Sequence, residues 1–170
     1  MVAYSYAQEN IIIEELSSLT ELPDGAINRM AQDETGFIWL GTWKGLYRYD
    51  GYRAVSFSTI NNEFNALKIK DLLINGNDLW VATFVSGLFR VDLSTYEIFS
   101  YSKEAELPHR ISENNVISLG ALPNNTIFIG TERSGLNIID STYYVVKLIP
   151  LRYWLHSVIH LILVVGFGLN

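Results

Sequence analysis

Apolar and polar positions alternate along most of this chain, in short runs broken by turn residues. Ile27 to Ala31 alternates, and Asp33-Glu34-Thr35-Gly36 then supplies a turn. Phe37 to Gly41 is a run of aromatic and β-branched character, Gly45 to Tyr49 alternates again, and Ala54 to Phe57 closes the unit after the tight turn signal Asp50-Gly51. Alternation at a period of two, enriched in aromatic and β-branched residues, predicts half-buried strands. The pattern then repeats. Ile69–Ile74, Leu79–Thr83, Gly87–Val91 and Tyr96–Tyr101 form a second set, with Asn75-Gly76-Asn77-Asp78 as its first turn. Val116–Ala121, Thr126–Gly130, Gly135–Ile139 and Tyr143–Leu148 form a third. No convincing amphipathic helix interrupts the region.

The three sets share one signature. Trp39-Leu40-Gly41-Thr42 followed by Gly45-Leu46 is answered by Trp80-Val81-Ala82-Thr83 with Gly87-Leu88, and by Phe128-Ile129-Gly130-Thr131 with Gly135-Leu136. An Asp follows each, at Asp50, Asp92 and Asp140. Thr42 and Thr83 are 41 residues apart, and Thr83 and Thr131 are 48 apart. Strand-built units repeating at about 40 residues are blades of a β-propeller. The reading is an all-β chain: an incomplete propeller of about three four-stranded blades at 26–58, 66–102 and 115–148, within a region spanning 11–148. Ile11 to Leu16 reads as the last strand of a preceding blade. The fixed residues are assigned to folding. Trp39, Trp80 and Phe128 fill the space between blades, Gly45, Gly87 and Gly135 allow a tight turn, and Thr42, Thr83 and Thr131 bond that turn through the hydroxyl.

The first unit resembles the two-component regulator propeller repeat. Ile27, Met30, Asp33, Gly36, Ile38, Trp39, Gly41, Thr42, Gly45, Leu46, Arg48, Tyr49 and Asp50 stand where that repeat has its characteristic residues. The second unit departs from it at Ala82 and Val91, and the third at Phe128 and at Ile138-Ile139. The resemblance implies a periplasmic sensor region of a bacterial hybrid two-component system, of the kind that detects glycans or their breakdown products and signals to a histidine kinase. It also implies several blades in a closed ring. The three blades here, with no kinase, receiver or DNA-binding segment, read as a truncated member.

Composition narrows the function further. A net charge of −6 and a pI near 5.0 leave no basic stripe for nucleic acid. The absence of cysteine excludes disulfides and thiolate metal sites. No phosphate-cradling glycine loop, nucleophile elbow, zinc or calcium loop is present, so no enzyme activity, cofactor or metal is expected. The paired carboxylates Glu14-Glu15 and Asp33-Glu34 read as solvated charges at a strand end and a turn. A ligand would meet the propeller face that collects the loops between second and third strands and the loops between blades. Candidate ligand-binding residues there are Trp43, Lys44, Phe84, Ser86, His109, Arg110, Glu132 and Arg133. Asn61-Asn62-Glu63 lies in the same set of loops. Trp43 could stack on a sugar ring, and Lys44 or Arg133 could meet an acidic sugar's carboxylate. The plainer reading is that Trp43 packs on the neighbouring blade and the charges are solvated. The expected partners are an oligosaccharide and either further blades or another protomer.

The ends differ from the middle. Residues 1–10 read either as the remnant of a secretory signal, with cleavage after Ala7, or as a short tail. Residues 149–170 form an apolar tail. The stretch 153–169 is at the short edge of a membrane span, at 17 residues against the ~17–25 required. Packing on an exposed blade edge is a second reading of it. A terminus altered by truncation or a frame change, helical in conformation, is the favoured third. His156 and His160 share a spacing of four, but Ser157 stands where a zinc-protease helix has Glu.

Overall fold

The computed structural model describes residues 27–60, 62–64 and 67–149. The N-terminal readings on residues 1–26 and the helical tail from residue 150 onward lie outside the described residues.

Twelve strands form three separate four-stranded antiparallel sheets, each with its strands in sequence order. The first holds β1 (Ile27–Gln32), β2 (Ile38–Thr42), β3 (Gly45–Tyr49) and β4 (Ala54–Ser56). The second holds β5 (Ile69–Asn75), β6 (Asp78–Thr83), β7 (Leu88–Asp92) and β8 (Ile98–Tyr101). The third holds β9 (Val116–Ala121), β10 (Ile127–Thr131), β11 (Leu136–Ile139) and β12 (Val145–Ile149). The helical content among the described residues is two single turns of 3₁₀ helix at Phe57–Thr59 and Asn62–Phe64.

The sheets meet face to face, with the first strand of each on a common inner side: β5 touches both β1 and β9. Two apolar seams hold the stack together. Trp39, Leu46, Phe57 and Phe64 of the first unit close on Ile69, Leu72, Leu79, Val81, Phe89 and Val91 of the second. Trp80, Ala82, Leu88 and Tyr101 of the second close on Ile111, Val116, Ile127, Ile129 and Ile139 of the third. Trp39 and Trp80 are fully buried in these seams. Removing such an aromatic from a packed core costs about 3–5 kcal/mol. Phe128, in the equivalent place on the third sheet, is only half-buried. Among the described residues no fourth sheet packs on it.

The β2–β3 turn repeats in chemical detail. Thr42 Oγ1 donates to the Gly45 carbonyl at 2.9 Å, Thr83 Oγ1 to Gly87 at 2.7 Å and Thr131 Oγ1 to Gly135 at 2.8 Å. All three glycines have positive φ, so their carbonyls turn back toward the threonine. At the opposite end of the blades, Asp50, Asp92 and Asp140 each accept backbone N–H bonds from residues two to four ahead. These are Asx-type turns.

Three expectations are corrected. The fourth strands begin at Ile98 and Val145, not at Tyr96 and Tyr143. Tyr96 and Tyr143 have φ of 59° and 65°, since the Asp92 and Asp140 turns carry the chain through the left-handed region before the strand starts. Phe57 belongs to a 3₁₀ turn rather than to β4, because Ser56 caps that turn and drives the Phe57 ring into the first seam. Asp33 is not a solvated turn charge. It is buried, and its carboxylate accepts from Trp39 Nε1 at 2.8 Å, Thr35 Oγ1 at 2.6 Å and the Thr35 and Phe37 amides. Burial pushes its carboxyl up, but these four bonds together outweigh it and hold the group below the ordinary carboxylate range.

Candidate functional site

The sheet end that carries the β2–β3, β6–β7 and β10–β11 loops also carries the starts of the inner strands. Each inner strand is bulged there by one residue. Pairing slips between Ile27 and Arg29 in β1, between Ile69 and Asp71 in β5, and opposite Gly130 and Thr131 in β9. The extra residues are Asn28, Lys70 and Ile117. A bulge leaves its extra residue outside the ladder and re-aims the side chain.

The first two blades converge on one group. Trp43 of the β2–β3 loop and Phe84 of the β6–β7 loop have ring centroids 6.5 Å apart at an interplanar angle of 47°. The indole is held from below: Trp43 Nε1 donates to Asn28 Oδ1 at 2.9 Å, while Asn28 Nδ2 donates to the Ile69 carbonyl at 3.0 Å. Asn28 therefore ties blade one to blade two and sets the ring's orientation. Two ammonium groups lie against the rings. Lys68 Nζ is 5.7 Å from the Trp43 centroid and 5.8 Å from that of Phe84. Lys70 Nζ is 5.2 Å and 5.1 Å from the same two centroids. These are cation–π distances. Trp43 remains 46% exposed beside these groups.

The remaining candidates divide. Lys44 is exposed, and its amide donates to Thr42 Oγ1. Ser86 donates its amide to Thr83 Oγ1, which fixes the loop that carries Phe84. Glu132 accepts from Asn115 Nδ2 at 2.6 Å and pairs with Arg133 at 3.7 Å. The Arg133 and Ser134 amides donate to Glu113. These groups shape the third blade's loop. His109 is placed elsewhere. Its ring packs edge-on to Tyr101 at 5.2 Å and to Tyr144 at 6.2 Å, and the preceding carbonyl of Pro108 accepts from Val145 at the start of β12. Arg110 Nε bonds the Ala105 carbonyl within its own loop. The structure therefore brings Trp43, Lys44, Phe84 and Ser86 to neighbouring loops on one face, and puts His109 in the seam between blades two and three.

Sequence reasoning missed Lys68, Lys70 and Asn28. A partial signal was there for the lysines: Lys68-Ile69-Lys70 sets two cations on either side of a buried Ile69 at the start of a strand, but the bulge that aims Lys70 is not readable from sequence.

A second polar cluster lies in the second seam. Arg90 and Asp78 are both about 9% exposed and pair at 3.4 Å. The guanidinium carbon is 4.1 Å from the Phe99 centroid and 3.7 Å from that of Tyr143 in the next blade. Burial raises the Asp78 carboxyl above its ordinary range, against the lowering effect of Tyr143 and Arg90. Arg48 repeats the device one blade earlier, donating to Tyr96 Oη with its guanidinium carbon 4.3 Å from the Phe37 centroid. The cluster is walled by packed rings and serves the seam.

Residues 21–44 match the family model of the two-component regulator propeller. A histidine kinase of Formosa agariphila is 31% identical over 98 residues, covering 52% of this chain and 7% of the kinase. The chain thus spans less than a tenth of that relative. Among solved structures, a chain described as the extracellular domain of a hybrid two-component system from B. thetaiotaomicron superposes with a TM-score of 0.65 at 19% identity, over 76% of this chain and 19% of its own. PorZ, a surface component of the type-IX secretion system of Porphyromonas gingivalis, superposes with a TM-score of 0.55 at 20% identity, over 69% of this chain and 18% of its own. The stack of four-stranded sheets is a fold shared with these two solved structures, and the stretch matching the two-component regulator propeller model, residues 21–44, takes in the first two strands of the first blade.

Proposed function

We propose that this chain is a non-catalytic, ligand-sensing propeller segment of a bacterial two-component sensor, acting on the periplasmic side of the membrane and answering a glycan-related signal. The observation that carries the reading is the repeat match over residues 21–44. The loop face supports it. Framework residues such as Thr42, Thr83 and Thr131 recur, while the loops they hold carry different side chains, as recognition loops do. Ligand at that face would bias the packing of the propeller against its neighbours, and so the state of a kinase, by the difference in affinity for two packings.

Calorimetric titration of the full chain with a panel of oligosaccharides tests the sugar assignment. Saturable heat with at least one of them, lost in Trp43→Ala, is the expected result. Silence across acidic and neutral members would overturn it.

A second reading, an assembly scaffold, draws on exposed apolar side chains at the two outer faces. Ile27 and Met30 of β1 are 41% and 67% exposed, and Val146 of β12 is 55% exposed. Light scattering separates the two: a monodisperse monomer removes the scaffold, and concentration-dependent association favours it.

The described residues hold no helix long and apolar enough to cross a membrane.

A further inference from the structure

We infer that Lys68 and Lys70, set against the Trp43–Phe84 ring pair, form an anion subsite that takes a carboxylate or sulfate group of a saccharide whose apolar ring face lies on Trp43. The inference rests on the sensing reading above and names the ligand class for that site.

Three observations lead to it. Both ammonium groups lie within 5.8 Å of the same two ring centroids, so two positive charges flank one ring pair. Like charges so placed repel, and an anion between them relieves the repulsion. Among the described residues neither lysine takes part in an ion pair, although the chain carries an excess of acidic groups. Two adjacent lysines that pair with none of the described carboxylates are available to an external one. Finally, the platform is built rather than loose. Asn28 holds the indole nitrogen, the β5 bulge re-aims Lys70, and the Phe84 amide is bonded to the Lys68 carbonyl at 2.9 Å. The exposed part of Trp43 offers a flat apolar surface next to the charges. Flat apolar surface beside a fixed cation is the complement of a pyranose ring that carries an acidic substituent.

The geometry also distinguishes these lysines from the arginine on the third blade. Arg133 already pairs with Glu132, so its charge is partly matched within the chain.

The test is titration of the full chain with a galacturonic acid disaccharide, a sulfated disaccharide, a neutral disaccharide and inorganic sulfate, at low and high salt. Binding is read by calorimetry and by the Trp43 indole N–H resonance, assigned with Trp43→Phe. At least one acidic disaccharide is expected to bind at least tenfold tighter than the neutral one, with an affinity that falls as salt rises. Lys68→Gln and Lys70→Gln are each expected to weaken it about five- to tenfold, as for a charge-assisted bond at a partly exposed site. Lys70→Arg should restore most of the loss. Unchanged thermal melts keep this separate from folding, since Lys68 is exposed and Lys70 half-exposed. If an acidic disaccharide binds with the same affinity to both Gln variants, the subsite assignment falls and the sensing reading stands. If only neutral disaccharides bind, the anion chemistry is wrong. If inorganic sulfate competes as well as the disaccharides, the sugar platform is wrong. If no saccharide binds, both readings fall together.

Discussion

Two glycines test the packing logic of the blades, because they share a backbone conformation and differ in what surrounds them. Gly36 and Gly87 have φ of +92° and +81°. A Cβ added at Gly36 would meet nothing within 4 Å, whereas one added at Gly87 would lie 2.2 Å from the Tyr101 carbonyl oxygen. Alanine at either site carries the strain of a left-handed non-glycine residue, about 1 kcal/mol. At either site it also gains back some stability by restricting the unfolded chain. These contributions are common to both variants and cancel in the comparison. What remains is the clash. Ordinary contact begins near 3.4 Å, so Gly87→Ala must push the end of β8 away by about an ångström. The Tyr101 ring is fully buried in the second seam, and the Gly87 amide is bonded to the Asn114 carbonyl at 3.0 Å, so neither neighbour moves freely. Forced overpacking of this kind costs about 1–3 kcal/mol. Gly87→Ala is therefore expected to lose about 2–4 kcal/mol in total and Gly36→Ala about 1 kcal/mol or less. Urea unfolding of the full chain, followed by the fluorescence of Trp39 and Trp80, reads both, with the difference taken at constant m. Equal midpoints for the two variants would refute the claim that Gly87 is dictated by the closeness of β8 rather than by its φ.

Other outcomes follow from the same contacts. Asp33 is held below the ordinary carboxylate range, so its stabilising contribution is present above the unfolded value of 3.8 and fades as pH falls through the folded one. An Asp33→Ala variant should lose about 1–3 kcal/mol at pH 7 and show a flatter acid limb in pH-dependent melts; an unchanged limb would count against the bond to Trp39. Asp78→Ala leaves the buried Arg90 without its carboxylate and should cost about 3 kcal/mol, with much of it recovered in Asp78→Ala/Arg90→Met, as measured by a double-mutant cycle in urea. Asn28→Ala removes the tether of the Trp43 indole. Its signature should be a broadened Trp43 N–H resonance and weaker ligand binding, with about 1–2 kcal/mol lost from one exposed and one part-buried hydrogen bond.

The blade architecture was legible because its signature residues have single jobs. A Trp that must fill a seam, a Thr that must reach a carbonyl three or four residues on, and a Gly that must turn the chain cannot be exchanged freely, so they recur and can be read. Tyr96 and Tyr143 misled for the opposite reason. Tyrosine belongs in strands by propensity, and here the Asp92 and Asp140 carboxylates overrode that preference in the turn before the strand. Asp33 misled because a carboxylate in a turn looks the same in sequence whether it faces water or a buried indole six residues away. The site was half legible. Trp43 and Phe84 came from loop position alone, but the contact between them depends on how two blades abut. Placing His109 required knowing that its loop meets the start of β12, where the Val145 amide donates to the Pro108 carbonyl.

The bulges connect the framework to the variable face. Asn28, Lys70 and Ile117 occupy one structural position in three successive blades, each freed from its ladder at the same point. A framework requirement would hold the chemistry of that position constant, as it holds the threonine of the turn constant. Instead the position carries an amide, an ammonium group and an aliphatic side chain. The backbone device is repeated while the group it presents is not. The amide at position 28 orients the indole beside it, and the cation at position 70 lies against that same indole, so the two differing groups act on one feature. Exchanging them tests this. Asn28→Lys with Lys70→Asn preserves composition and charge; it removes the Asn28 bonds to Trp43 and Ile69 and should cost about 1–2 kcal/mol while the chain stays folded. It should abolish acidic-saccharide binding. Retained affinity would mean that the bulges serve the ladder alone and that recognition lies elsewhere on the molecule.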